Sequence, residues 1–191
     1  YMSVRYLEPL SLLFTLITPL FAMRSFSDEF RRETYALWQS SPVSHHALVL
    51  GKFLGILLVN GALVLLAVLL PLLLRVAVPL DMPVLVSASI GLISLTCLCA
   101  ACAMFFSSLT SHALIAVTAT LALLAILWMF GSAAAGALPL QWLAELAIGT
   151  HLRGFFQGYL QSKNIAYFAL LTLLFLALTV IRLDSLRQTG H

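Results

Sequence analysis

Charge is what this chain has least of. Asp, Glu, Lys and Arg make up 9% of its 191 residues, where a soluble globular domain carries about a quarter. With 62% hydrophobic residues and a mean hydropathy of +1.06, that scarcity excludes a water-exposed surface of ordinary size and defines an integral membrane protein. Cysteine is scarce as well. Cys97, Cys99 and Cys102 all fall in one apolar run, which excludes a disulfide framework and reads as small packing residues. Cys99 and Cys102 share a helix face, but no Met or His completes a soft-metal site beside them. The net charge of +3 is too small to attract nucleic acid and fits a Lys/Arg excess in cytoplasmic loops.

Several chemistries are missing too. A P-loop needs G-x-x-x-x-G-K-[ST], whose backbone amides cradle phosphates. The chain's one Gly-Lys pair, Gly51-Lys52, is followed by Phe53 and has His46 where the first glycine belongs, so no ATPase is encoded here. No ionisable residue lies near the middle of any apolar segment, which argues against a proton- or ion-coupled carrier. Ser94, Thr96 and Thr118 have no histidine or carboxylate near them in sequence; helix–helix hydrogen bonding explains them better than an intramembrane enzyme does. His45 and His46 are adjacent and point to different helix faces, unlike a zinc pair at i, i+4. No catalytic and no metal-binding residue is expected.

What is present is a series of apolar segments. The expected fold class is an all-α polytopic membrane protein, one transmembrane domain over residues 1–191. Five spans are read at about 3–23, 48–74, 84–107, 113–131 and 164–181, each near the roughly 20 residues that cross a bilayer. Their Leu, Ala and Val runs face membrane lipids. Alternation places Arg24, Arg31, Arg32, Lys52, Arg182 and Arg187 on one side, which the positive-inside rule makes cytoplasmic. The C-terminus is then cytoplasmic, and a sixth span upstream of Tyr1 is expected.

The stretch "MRSFSDEFRRETYALWQSSPVS" breaks the apolar pattern. Of the 17 charged residues, six lie in it: Arg24, Asp28, Glu29, Arg31, Arg32 and Glu33. Ser27 is placed to cap a helix whose first turn holds Asp28 and Glu29, favourable at the positive end of the dipole. Phe30, Thr34, Leu37 and Trp38 recur at helical spacing, and Ser41-Pro42 ends the pattern. An amphipathic helix over about 27–40 is expected at the membrane surface, with Trp38 at headgroup level. Composition alone makes it a loop helix that orients two spans.

Met23, Arg24, Glu29, Arg31, Thr34, Ser41, Pro42, Val43, Ser44, Leu50, Gly51 and Lys52 together resemble the coupling-helix region of ABC-2 type transporter permeases. The resemblance is closest to the gliding-motility (GldF-like) and nitrous-oxide-reductase maturation (NosY-like) permeases. Family members usually carry a glycine where this chain has Glu33. His151, Phe155, Gly158, Tyr167 and Phe168, in "HLRGFFQGYLQSKNIAYF", resemble the family's approach to its last span.

The resemblance implies the permease subunit of an ABC exporter in the bacterial inner membrane, with six spans. It implies pairing with a second copy or a paralogue, a separate ATPase subunit that binds ATP and Mg, and room for an extracytoplasmic auxiliary subunit. On that reading Asp28, Glu29, Arg31, Arg32, Glu33, Thr34, Ser41 and Pro42 form the ATPase-coupling element. The competing class is an ATP-independent channel, carrier or membrane scaffold.

From about 139 to 161 the chain is amphipathic rather than spanning. Leu152, Phe155, Phe156, Tyr159 and Leu160 follow a helical stripe, and Gly149-Thr150 is expected to separate it from a shorter helix around Trp142 and Leu146. The family resemblance makes these extracytoplasmic helices near the exit of the translocation path. Phe155, Phe156 and Tyr159 are then the expected outer gate.

Overall fold

The computed structural model describes residues 2–31, 45–73, 82–133 and 145–189. Among them run seven helices: α1 (Met2–Ala22), α2 (Arg24–Arg31), α3 (His45–Leu73), α4 (Met82–Leu109), α5 (Ala113–Ala133), α6 (Ile148–Phe156) and α7 (Ser162–Thr189). Five stretches, one in each long helix, are long and apolar enough to cross a membrane, so the chain is a multi-pass membrane protein, with helix the one regular structure among the described residues. The first stretch, Pro9–Ser27, runs out of α1 into α2.

α4 is the hub of the bundle and packs against each of the other six helices. Its apolar stretch is 61% buried, against 22% for those of α3 and α5. The cause is its composition. Ser87, Ala88, Gly91, Thr96, Cys99, Ala100, Ala101, Cys102 and Ala103 are all buried, and small side chains let neighbouring backbones approach where hydrocarbon offers no hydrophobic drive between helices. Many leucines of the other spans point the other way. Leu58, Leu114 and Leu170 are each more than two-thirds exposed, on faces that suit lipid.

Two apolar clusters fill the bundle. One gathers Leu92, Leu95, Phe155, Phe156 and Phe168 around the α6 end. The other gathers Phe26, Val49, Phe53, Met104, Val180 and Leu183 around the α2 end. Cys99 and Cys102 lie inside the first cluster and Cys97 packs against the second, the packing role their setting in an apolar run suggests.

Three local expectations are corrected. The charged helix starts at Arg24 rather than near Ser27, because α1 passes almost directly into it: Met23 N–H still bonds Pro19 O at 2.8 Å, so only one turn residue separates the two. α4 runs on to Leu109, past the expected span end at 107, leaving only Thr110–His112 to join α4 to α5. Finally, Gly149-Thr150 does not break the chain but sits in the first turn of α6, which starts after an extended Ala147.

The same helix ends earlier than its apolar stripe suggests. Gly158 takes a φ of +86°, with Gly158 N–H on Phe155 O at 3.1 Å and Tyr159 N–H on Gly154 O at 3.0 Å. These paired bonds around a left-handed glycine form a Schellman cap that turns the chain out of the helix. Everything after Phe156 therefore leaves the helical stripe.

Candidate functional site

At one end of the bundle, α2 is fixed from outside its own sequence. The first four N–H groups of a helix have no partner within it. Two of them, on Phe26 and Ser27, donate to Ser107 Oγ of α4, each at 3.0 Å. Ser107 Oγ donates its own hydrogen to Met23 O at 2.8 Å, and Ser27 Oγ donates to Ser107 O at 3.3 Å. This assignment uses the one donor and two lone pairs of the Ser107 hydroxyl in full. Ser27, expected as the cap of this helix, is instead a fully buried partner of the residue that does the capping.

Phe26 is the apolar half of the same joint. Its side chain is 0% exposed and packs with Val49 and Phe53 of α3, Ala100, Ala101 and Met104 of α4, and Leu183 of α7. Lys52 of α3 closes the socket. Its ammonium lies 4.1 Å from the Phe26 ring centroid and donates to Ser25 O, combining a cation–π contact with a backbone bond. Burying the first turn of α2 is thus shared among three spans.

Asp28, Glu29 and Arg31 lie in the last turn of α2. Arg32, Glu33, Thr34, Ser41 and Pro42 lie outside the described residues, as do Leu37 and Trp38.

At the opposite end, α6 is tied to α7 by a polar cluster. His151 is 3% exposed, with Nε2 2.9 Å from Glu145 O and Nδ1 2.9 Å from Asn164 Oδ1. Its ring stacks on Tyr167 at 4.0 Å with 17° between planes, and Tyr167 Oη donates to Leu146 O at 2.6 Å. Glu145 and Lys163 form an ion pair outside the cluster. Lys163 holds the Glu145 carboxyl below the usual carboxylate range, by hydrogen bonding first and charge second.

The three aromatic residues expected as an outer gate differ in exposure. Phe155 is fully buried and Phe156 nearly so, whereas Tyr159 is 64% exposed. The Schellman cap is the reason, since it carries Tyr159 off the helix on which Phe155 and Phe156 sit. Phe155 is instead a wedge: a Cβ built on Gly91 of α4 would lie 2.8 Å from Phe155 Cβ, and its ring meets Phe168 of α7 at 6.3 Å.

Between the two ends, Thr18 Oγ1 of α1 donates to Asn60 Oδ1 of α3 at 3.0 Å, and Asn60 Nδ2 donates to Ile56 O at 3.0 Å. Thr18 and Asn60 are both 0% exposed. The pair joins two spans where no water competes for the bond.

Sequence reading missed Ser107, Phe26 and Lys52 as one joint, and Asn164 as the partner of His151. Ser107 is 80 positions from Ser27, and no periodicity links them. A buried serine at a span terminus facing a helix start is the kind of signal that only folding exposes.

No family model matches this chain, no curated protein matches its sequence, and no solved structure matches its fold.

Proposed function

We propose that this chain is the membrane subunit of an ABC-2 type transporter, an exporter in the bacterial inner membrane, with α2 the element through which a separate ATPase moves the bundle. One observation carries the reading: the first turn of α2 is bonded through Ser107 to α4, the helix that touches every other. A push on the charged end of α2 therefore reaches the centre of the bundle directly. A loop helix that merely oriented two spans would need no such joint to a third.

The resemblance of residues 23–52 to coupling-helix regions supplies the identity of the pushing partner. Asp28, Glu29, Arg31, Arg32 and Glu33 are the residues proposed to meet the ATPase, Thr34, Ser41 and Pro42 complete that coupling element, and the α2 end is the cytoplasmic side. ATP and Mg are bound by that partner. A second copy or paralogue completes the translocation path, and the α6 end faces out, with room for an auxiliary subunit.

Affinity purification in mild detergent, with mass spectrometry of co-purifying proteins, tests the reading. The expected result is recovery of a Walker-motif ATPase by the native protein and its loss on charge reversal of Arg31 and Arg32. Absence of any ATPase in both samples would move the protein to a channel, carrier or scaffold.

A further inference from the structure

α1 carries a weak point within its length. Pro19 lies inside the helix, where it has no N–H to offer Thr15 O and its ring crowds that carbonyl. One turn earlier, Thr15 Oγ1 donates to Ser11 O at 2.7 Å, so a side chain competes with the backbone for the carbonyl that closes this turn. Two successive turns, 11–15 and 15–19, are thus weakened at one residue. Proline is a common cause of sharp helix bends, and a back-bonded threonine adds to it.

The packing differs on the two sides of this point. On the N-terminal side Phe14 is buried in the cluster that holds Val64 and Ala67 of α3 and Leu92 of α4. On the C-terminal side Ala22 is fully buried, Met23 O accepts from Ser107 Oγ, and Phe26 belongs to the other cluster. The weak point therefore lies between two separately anchored bodies. Leu12, Leu16 and Leu20 are about half exposed along the same stretch, so a bend on that side displaces lipid rather than packed side chains.

Thr18 holds the bend from within. Its hydroxyl donates to Asn60 Oδ1 of α3, while Asn60 Nδ2 donates to Ile56 O. Ile56 O only accepts, which turns the amide nitrogen toward it and leaves the amide oxygen for Thr18. Both side chains are fully buried, so separating them takes a donor from the Asn60 oxygen where no water replaces it.

We propose that residues 15–19 are a hinge in α1 and that the bond from Thr18 to Asn60 is the latch that sets its angle. The last turn of α1 then moves with α2, while the part before Thr15 stays with α3 and the Phe14 cluster. Displacing α2 opens or closes the bend instead of dragging the whole of α1. The inference holds whatever partner moves α2, so it does not rest on the transporter reading.

The test measures the bend in lipid nanodiscs by pulsed electron–electron double resonance. Nitroxides on ketone-bearing residues at positions 12 and 24, both exposed, report the angle and leave the three cysteines untouched. A second pair at positions 58 and 170, exposed on α3 and α7, is the control. Pro19→Ala restores the missing N–H and is expected to shift the 12–24 distance and narrow its distribution about twofold. Thr18→Val keeps the side-chain shape, removes the latch hydroxyl and should broaden the same distribution about twofold. Neither variant should alter the 58–170 distance. Thr15→Val, which removes the back-bond, is expected to narrow the 12–24 distribution and is the decisive variant if Pro19→Ala does not fold. A 12–24 distribution identical in native protein and variants would overturn the hinge. An equal change at the control pair would overturn it as well, by making the effect one of bundle stability.

Discussion

Ser107 caps a helix to which it does not belong: its Oγ accepts the N–H of Ser27 at 3.0 Å across 80 positions of sequence. Helix capping is ordinarily local, done by a side chain at the helix's own start. Here two donor groups in the first turn of α2 are satisfied from α4, so that turn is built into the bundle.

Ser107→Ala therefore leaves the Phe26 and Ser27 N–H groups buried without an acceptor. The expected loss is about 1–3 kcal/mol, the cost of stranding a buried polar group. It should appear as lower resistance to SDS-induced unfolding and as faster exchange of the 24–31 amides. Ser107→Thr retains the hydroxyl and is expected to preserve most of the protection. Equal exchange in native protein and the alanine variant would show that the joint bears no load.

Lys52 and Phe26 should be energetically coupled. A double-mutant cycle with Lys52→Met and Phe26→Leu is expected to give an interaction of about 0.5–2 kcal/mol, the range for cation–π contacts from exposed to desolvated. Methionine keeps the length of the side chain and removes only the ammonium. Additive single effects would reduce the 4.1 Å approach to coincidence.

Gly91→Ala is expected to force α6 away from α4. Its new Cβ would sit 2.8 Å from Phe155 Cβ, an atom next to the backbone that cannot swing aside as a flexible chain end would. A penalty of about 1–3 kcal/mol is typical of such overpacking. Phe155→Gly removes that Cβ together with Cγ, which would lie 2.9 Å from the new Cβ, so the double variant should be more stable than the two single losses sum to. Strict additivity would mean that Phe155 does not wedge on Gly91.

Acid should loosen the Glu145–Lys163 pair. A carboxyl whose value is depressed in the folded protein contributes stability above its ordinary value, here 4.5, and loses that contribution as pH falls through the lowered value. Exchange protection around 145–150 should therefore fall on acidification from about pH 5 to about pH 3, and Glu145→Gln should remove this step. Both side chains are exposed, so the effect is small and salt should erase it.

The membrane class and five spanning stretches were legible because hydrocarbon imposes a one-dimensional rule. A helix must be apolar for roughly 20 residues to cross it, and that can be counted along a chain. The packing role of Cys99 and Cys102 was legible for the same reason, since their setting is uniformly apolar. The charged stretch announced a helix, but not where it starts or what holds it. Ser27 has the right chemistry for a cap, and only the fold brings Ser107 to the same N–H groups first. Phe155, Phe156 and Tyr159 share a stripe on an ideal helix, and a single left-handed glycine at Gly158 sends the third elsewhere. The bond between His151 and Asn164 spans 13 positions and leaves no periodic trace. Composition and period act locally and are written in order along the chain. Caps supplied by another helix, wedges onto a glycine and buried polar pairs depend on which surfaces meet, and that is decided only when the bundle closes around α4.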